Sequence, residues 1–94
     1  MASRKPALRH VVVTGAGTGI GRAIALRLAR KGVQLSLLAR DLARLEETAE
    51  LARTAGASAA CWSVDIRKRK NVDAAFDACA QAHGPIDVLV ANSG

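Results

Sequence analysis

Short apolar runs alternate along this chain with longer stretches whose apolar residues recur at helical spacing. The first run, His10–Thr14, holds three consecutive valines, β-branched and apolar on both faces. A parallel strand covered by helices on both sides requires that composition. From Gly19 to Lys31 the residues Ile20, Ile24 and Leu28 recur at i, i+4 and i+8, with Arg22, Arg27 and Arg30 on other faces. That pattern predicts an amphipathic helix, with Gly32 as its stop signal. Val33–Ala39 reads as the second strand and ends at Arg40. Asp41 is placed to cap a helix with the apolar stripe Leu42, Leu45, Ala49 and Ala52, ending at Gly56. A third strand, Ala57–Val64, ends at Asp65. Val72, Phe76, Cys79 and His83 then mark a third helix, with the basic run Arg67–Lys70 at its start and Gly84-Pro85 at its end. Ile86–Ala91 is the fourth strand.

The resulting order, β-α-β-α-β-α-β, predicts an α/β fold: a parallel sheet with helices on both faces, joined by right-handed crossovers. In the Rossmann-type arrangement strand 1 is central, strands 2 and 3 lie to one side and strand 4 to the other. The ligand crevice opens at the switch point between strands 1 and 4. The 94 residues make one partial domain of this kind, behind a basic leader over residues 1–8 that is expected to be disordered.

Thr14-Gly15-Ala16-Gly17-Thr18-Gly19-Ile20-Gly21 falls at that crevice, between the first strand and the first helix. Glycines let a backbone turn tightly and approach a phosphate, and the free N–H groups of the helix start face negative charge. Ile20 stands where G-x-G-x-x-G would place its last glycine, so the segment fits T-G-x-x-x-G-x-G through Thr14, Gly15, Gly19 and Gly21. Arg40, the pair Asp65-Ile66 and the segment Ala91-Asn92-Ser93-Gly94 follow the next three strands in order.

Taken together, these four elements resemble the classical short-chain dehydrogenases/reductases over about His10 to Gly94. The extended, epimerase-like branch spaces its glycines T-G-x-x-G-x-x-G. The resemblance implies that Thr14, Gly15, Gly17, Thr18, Gly19, Ile20 and Gly21 cradle the pyrophosphate of a nicotinamide dinucleotide. It implies that Arg40, in the place after the last strand residue Ala39, binds the 2′-phosphate of NADP(H), so NADP(H) is expected over NAD(H). Many NADP-preferring relatives carry a basic residue where this chain has Thr18. Asp65 and Ile66 match the pair that holds adenine. Asn92, Ser93 and Gly94 correspond to the N-N-A-G segment beside the nicotinamide ribose, with Ala91 and Ser93 departing from it.

The family's chemistry belongs to a serine and a Y-x-x-x-K pair on later elements. This chain contains no tyrosine, and no lysine matches the motif, so no catalytic residue is assigned. His10 and His83 have no serine or carboxylate at triad spacing and read as strand-end and helix-end residues. The expectation is the cofactor-binding N-terminal half of an oxidoreductase acting on a carbonyl or alcohol substrate. Alone it would be weakly stable and inactive, with strand 4 left as an apolar edge. A non-catalytic dinucleotide-binding module or an inactive fragment is the alternative. The complete protein could form a homo-oligomer.

Composition narrows the partners. The net charge of +6 comes from fourteen Lys and Arg against eight Asp and Glu. The basic residues are spread over several helices, and the Arg67–Lys70 cluster has no interleaved aromatics to stack on bases, so no nucleic-acid partner is expected. Cys61 and Cys79 fit neither a disulfide framework nor a metal site. No apolar run approaches a membrane span, and the N-terminus lacks a signal peptide's apolar core, so the expected location is cytoplasmic.

Overall fold

The computed structural model describes residues 9–92, so the leader over residues 1–8 and the site candidates Ser93 and Gly94 lie outside the described residues. Strand β1 (His10–Thr14) leads to helix α1 (Gly19–Leu28), β2 (Gln34–Ala39), α2 (Leu42–Thr54), β3 (Ser58–Ser63), α3 (Arg69–His83) and β4 (Val88–Val90). The strands form one sheet in the order β3-β2-β1-β4. Every pairing is parallel, with Thr14 beside Leu38, Val13 beside Val90 and Ala39 beside Ser63. This is a partial Rossmann fold, with β1 inside the sheet and the topological switch between β1 and β4.

Alternation within β1 and β2 supplies two separate cores, because successive side chains point to opposite faces. Val11, Val13, Leu35 and Leu37 pack with Ala25 of α1 and with Leu45, Ala49 and Ala52 of α2. On the other face Val12 and Leu38 pack with Val64 and with Ala75 and Cys79 of α3. All five residues of β1 are buried, as expected for a strand with neighbours on both edges and helices on both faces. Among the described residues no helix is long and apolar enough to cross a membrane.

Helix α1 and strand β4 depart most from the sequence expectation. Helix α1 ends at Leu28 rather than Lys31: Ala29 is extended, and the Val33 N–H bonds the Arg30 carbonyl in a reversing turn. Gly32, with φ of 90°, serves that turn instead of closing the helix. The packed face of α1 also differs, since Gly21 and Ala25 are buried while Ile20 is 71% exposed. Small residues sit where helix and sheet come close, and the larger Ile20 is left at the helix start beside the switch point. Strand β4 is confined to Val88–Val90, because past Val90 it is the Thr14 hydroxyl, not a backbone carbonyl, that receives the Asn92 N–H.

At the N-terminal end of the sheet the two histidines meet. His10 is buried at the start of β1; its Nδ1 lies 3.0 Å from the Gly84 carbonyl and its Nε2 2.7 Å from the Ser36 hydroxyl. A carbonyl only accepts, so Nδ1 carries the proton and Nε2 accepts from Ser36. The His83 ring packs edge-on against both His10 and Trp62. Asp87 accepts the backbone N–H groups of Arg9 and His10 and so ties the entry of β4 to that of β1.

Candidate functional site

The C-terminal ends of the strands open into a cleft of about 550 Å³. Gly15, Gly17, Thr18, Gly19 and Ile20 form its wall after β1. Ala39, Arg40, Asp41 and Arg44 line it after β2, Val64, Asp65, Ile66 and Arg67 after β3, and Asn92 after β4. The fold thus brings together nearly all the described candidates in one cavity. Thr14 and Gly21 do not line it; they hold its floor.

Thr14 is buried, and its hydroxyl joins β1 to the end of β4. It accepts the Asn92 N–H at 2.9 Å and points its own proton toward the Asn92 carbonyl at 3.2 Å. The Asn92 side-chain amide in turn donates to the Gly15 carbonyl at 3.3 Å. Gly15 has φ of 64°, and a Cβ there would collide with the Asn92 carbonyl oxygen. At Gly21 the conformation is ordinary but space is missing, because a Cβ would strike the Gly15 carbonyl oxygen. The turn and the first turn of α1 are therefore in backbone contact, and only glycine permits it.

Helix α1 starts without an anionic partner of its own. Its N-cap, Thr18, is extended and makes no side-chain capping bond, and the first turn contains no acidic residue. The opening N–H groups and the positive end of the helix dipole are left facing the cleft.

The second wall carries guanidinium groups. Arg40 is exposed and forms no ion pair among the described residues. Its carbonyl is held by the Ser63 hydroxyl at 2.8 Å, which fixes the backbone but leaves the side chain free. Asp41 caps α2 by accepting the Arg44 N–H at 3.1 Å. It therefore has the capping role read from the sequence. Arg44 lies across the cleft from the glycine turn, near enough that a Cβ on Gly17 would be 3.2 Å from the Arg44 Cβ.

Behind this wall Arg22 reaches from α1 to α2. It donates to the Thr48 hydroxyl at 2.8 Å, the Arg44 carbonyl at 3.1 Å and the Glu47 carboxylate at 3.0 Å. The Thr48 hydroxyl donates a hydrogen bond to the Ala16 carbonyl at 2.9 Å. The glycine turn is thereby braced against the start of α2.

After β3, Asp65 is clasped by Arg67. One carboxylate oxygen accepts both the Arg67 backbone N–H and its Nε–H at 3.0 Å; the other accepts an Nη2–H at 3.0 Å. These bonds hold the Asp65 carboxyl well below the usual carboxylate range and raise the Arg67 guanidinium. Ile66 is partly exposed beside them.

Arg22, Arg44, Thr48 and Arg67 were not identified as site residues from the sequence. Arg44 and Arg67 had a local signal, the first three residues after the helix cap Asp41 and the second two after Asp65, where side chains return to the same turn. Arg22 and Thr48 are 26 residues apart and had none. No cluster of three or more His, Cys, Asp or Glu that could hold a metal ion occurs among the described residues.

Residues 9–94 match the family described as short chain dehydrogenase. A 3-dehydrosphinganine reductase of Arabidopsis thaliana is 41% identical over 87 residues, which cover 92% of this chain and 26% of that protein. A metagenomic short-chain oxidoreductase in complex with NADP superposes with a TM-score of 0.86 at 37% identity, covering 92% of this chain and 39% of that one. An NAD+-bound xylitol dehydrogenase superposes with a TM-score of 0.82 at 34% identity, covering 86% of this chain and 31% of that one. The chain thus spans about a quarter to two-fifths of the length of these relatives.

Proposed function

The chain belongs to the short chain dehydrogenase family, and from that premise we propose that it is the cofactor-binding unit of an NADP(H)-dependent oxidoreductase acting on a carbonyl or alcohol substrate. The observation that carries the NADP(H) reading is the guanidinium of Arg40, which lines the cleft without an ion-pair partner among the described residues.

A dinucleotide lying along the cleft meets complementary chemistry at each point. The glycine turn and the uncapped start of α1 accept the pyrophosphate, where the backbone can approach closely and the N–H groups are unspent. Arg40 faces the adenosine ribose and supplies a planar, permanently charged fork for a 2′-phosphate. Asp65 accepts from the adenine amine while Ile66 covers the base. Asn92, anchored to Gly15 and Thr14, borders the nicotinamide end. When bound, the nicotinamide supplies or accepts a hydride; the residues described here bind and orient it. The relatives solved with NADP and with NAD+ both support the dinucleotide reading; Arg40 favours the phosphorylated form.

The test is a fluorescence titration of NADPH and NADH with the full-length protein, wild type and Arg40→Asp. A charge-assisted hydrogen bond contributes about 1.5–3 kcal/mol, so NADPH is expected to bind roughly 10- to 100-fold more tightly than NADH. Arg40→Asp is expected to close or reverse that gap. Equal affinities for the two cofactors in both proteins would remove the NADP assignment.

A further inference from the structure

Ala16 is buried within the glycine turn and is held from two sides. Its N–H donates to the Leu38 carbonyl of β2 at 3.3 Å, and its carbonyl accepts from the Thr48 hydroxyl of α2 at 2.9 Å. Thr48 is fully buried and has a single hydroxyl proton to give. A second acceptor lies within its reach: the Arg44 carbonyl at 3.3 Å, four residues back on the same helix. A threonine inside a helix commonly bonds that carbonyl. Arg22 opposes this choice with two nitrogens of its guanidinium. Its Nη2–H reaches the Arg44 carbonyl at 3.1 Å, taking the lone pair that the helix bond leaves open. Its Nε–H occupies the Thr48 oxygen at 2.8 Å. The Thr48 proton is thereby directed to Ala16.

We propose that Arg22 is a positioning residue for the dinucleotide, acting through Thr48 on the Ala16–Gly17 peptide. The inference rests on the dinucleotide reading above. Across a trans peptide the Gly17 N–H points opposite to the Ala16 carbonyl, and so away from Thr48. That N–H has no backbone partner among the described residues, and Gly17 lines the cleft. Fastening the carbonyl to Thr48 therefore keeps one more donor free for the cofactor. Without Arg22 the Thr48 proton returns to the Arg44 carbonyl. The Ala16 carbonyl is then buried without a donor, which costs enough to turn the peptide toward another partner. That rotation carries the Gly17 N–H out of place, while the bond to Leu38 still holds the preceding peptide. Arg22 does not line the cleft, and three of its contacts are spent on α2, so its effect on the cofactor is indirect.

A double-mutant cycle on NADPH affinity tests this in the full-length protein, with Arg22→Met, Thr48→Val and the pair combined. Each single variant is expected to weaken binding about tenfold, the scale of one hydrogen bond. In the Thr48→Val background, Arg22→Met is expected to cost no more than about twofold further, because the relay is already broken. Thr48→Ser keeps the hydroxyl and is expected to restore affinity to within about twofold of wild type. Arg22→Lys keeps the charge but places one nitrogen where arginine places two, and is expected to lose at least about threefold. It replaces Arg22→Met in the cycle should that variant fail to fold. Urea unfolding of each variant separates stability from affinity. A merely structural role lowers the urea midpoint and leaves the affinity of the folded protein unchanged, which overturns the proposal. Additive losses in the cycle, or full affinity in Arg22→Lys, also overturn it, since Arg22 would then act by its charge or by another route. These results leave the cofactor reading intact. A wild type that binds neither NADPH nor NADH overturns both.

Discussion

Gly21 and Gly15 meet backbone to backbone: a methyl group on the Gly21 α-carbon would collide with the Gly15 carbonyl oxygen and come within 2.7 Å of the Asn92 side-chain nitrogen. The start of α1 therefore rests directly on the turn that precedes it. Gly19, two residues earlier, requires glycine for the opposite reason, since its φ is 56° but its Cβ would meet nothing within 4 Å.

Gly21→Ala is accordingly expected to destabilise the fold more than Gly19→Ala. Overpacking against backbone, which cannot step aside as a side chain can, costs about 1–3 kcal/mol. The left-handed conformation at Gly19 costs a non-glycine residue about 1–2 kcal/mol. Urea unfolding of the two variants checks the order. Gly21→Ala should also weaken NADPH binding at least tenfold, because relieving the clash moves α1 away from the turn. A Gly21→Ala protein with wild-type stability and affinity would show that the contact relaxes without cost.

Thr14→Val tests the link between β1 and the end of the edge strand β4. Valine keeps the volume but leaves the Asn92 N–H without its acceptor and frees the Asn92 carbonyl. An unsatisfied, partly buried donor costs about 1–3 kcal/mol. The loss should appear both as lower stability and as weaker cofactor affinity, since the same Asn92 side chain holds the Gly15 carbonyl. Thr14→Ser keeps the hydroxyl and should recover most of the affinity.

Much of this architecture was legible in the sequence because its signals are local. Val11–Val13 could only be a covered strand, Asp41 stood where a cap belongs, and the glycine spacing placed the cleft. Helix phase was less legible. Ile20, Ile24 and Leu28 look like a core stripe, yet Gly21 and Ala25 are the buried pair, because close helix–sheet approach selects the small residue over the hydrophobic one. The braces were not legible at all. Arg22 to Thr48 and His10 to Ser36 are each 26 residues apart, and chain order carries no sign of which polar groups will meet across a fold. Asp65 and Arg67 fall between these cases: the spacing allowed their pairing, but only the structure shows three bonds.

Acid should weaken the fold in two stages. Burial, then the neighbouring His10, lowers the His83 imidazole from its usual 6.5, so the folded state resists a proton that the unfolded chain accepts. Stability from this source is complete above pH 6.5 and is lost as the pH falls toward the lowered folded value. The carboxyls of Asp65 and Asp87 are also lowered, the first by the Arg67 side chain and the second by the His10 and Arg9 backbone N–H groups. Their contribution is present above the usual carboxylate value of 3.8 and disappears as the pH falls below it. The urea midpoint of the wild type should therefore begin to decline as the pH falls below about 6.5. His83→Gln removes the titrating ring while keeping a polar group near Gln34, which lies 3.4 Å from the His83 Nε2. That variant should have a flat midpoint over the upper range and keep the acid loss near pH 4 and below. If His83→Gln retained the full decline that sets in below about pH 6.5, His83 would not be the group responsible.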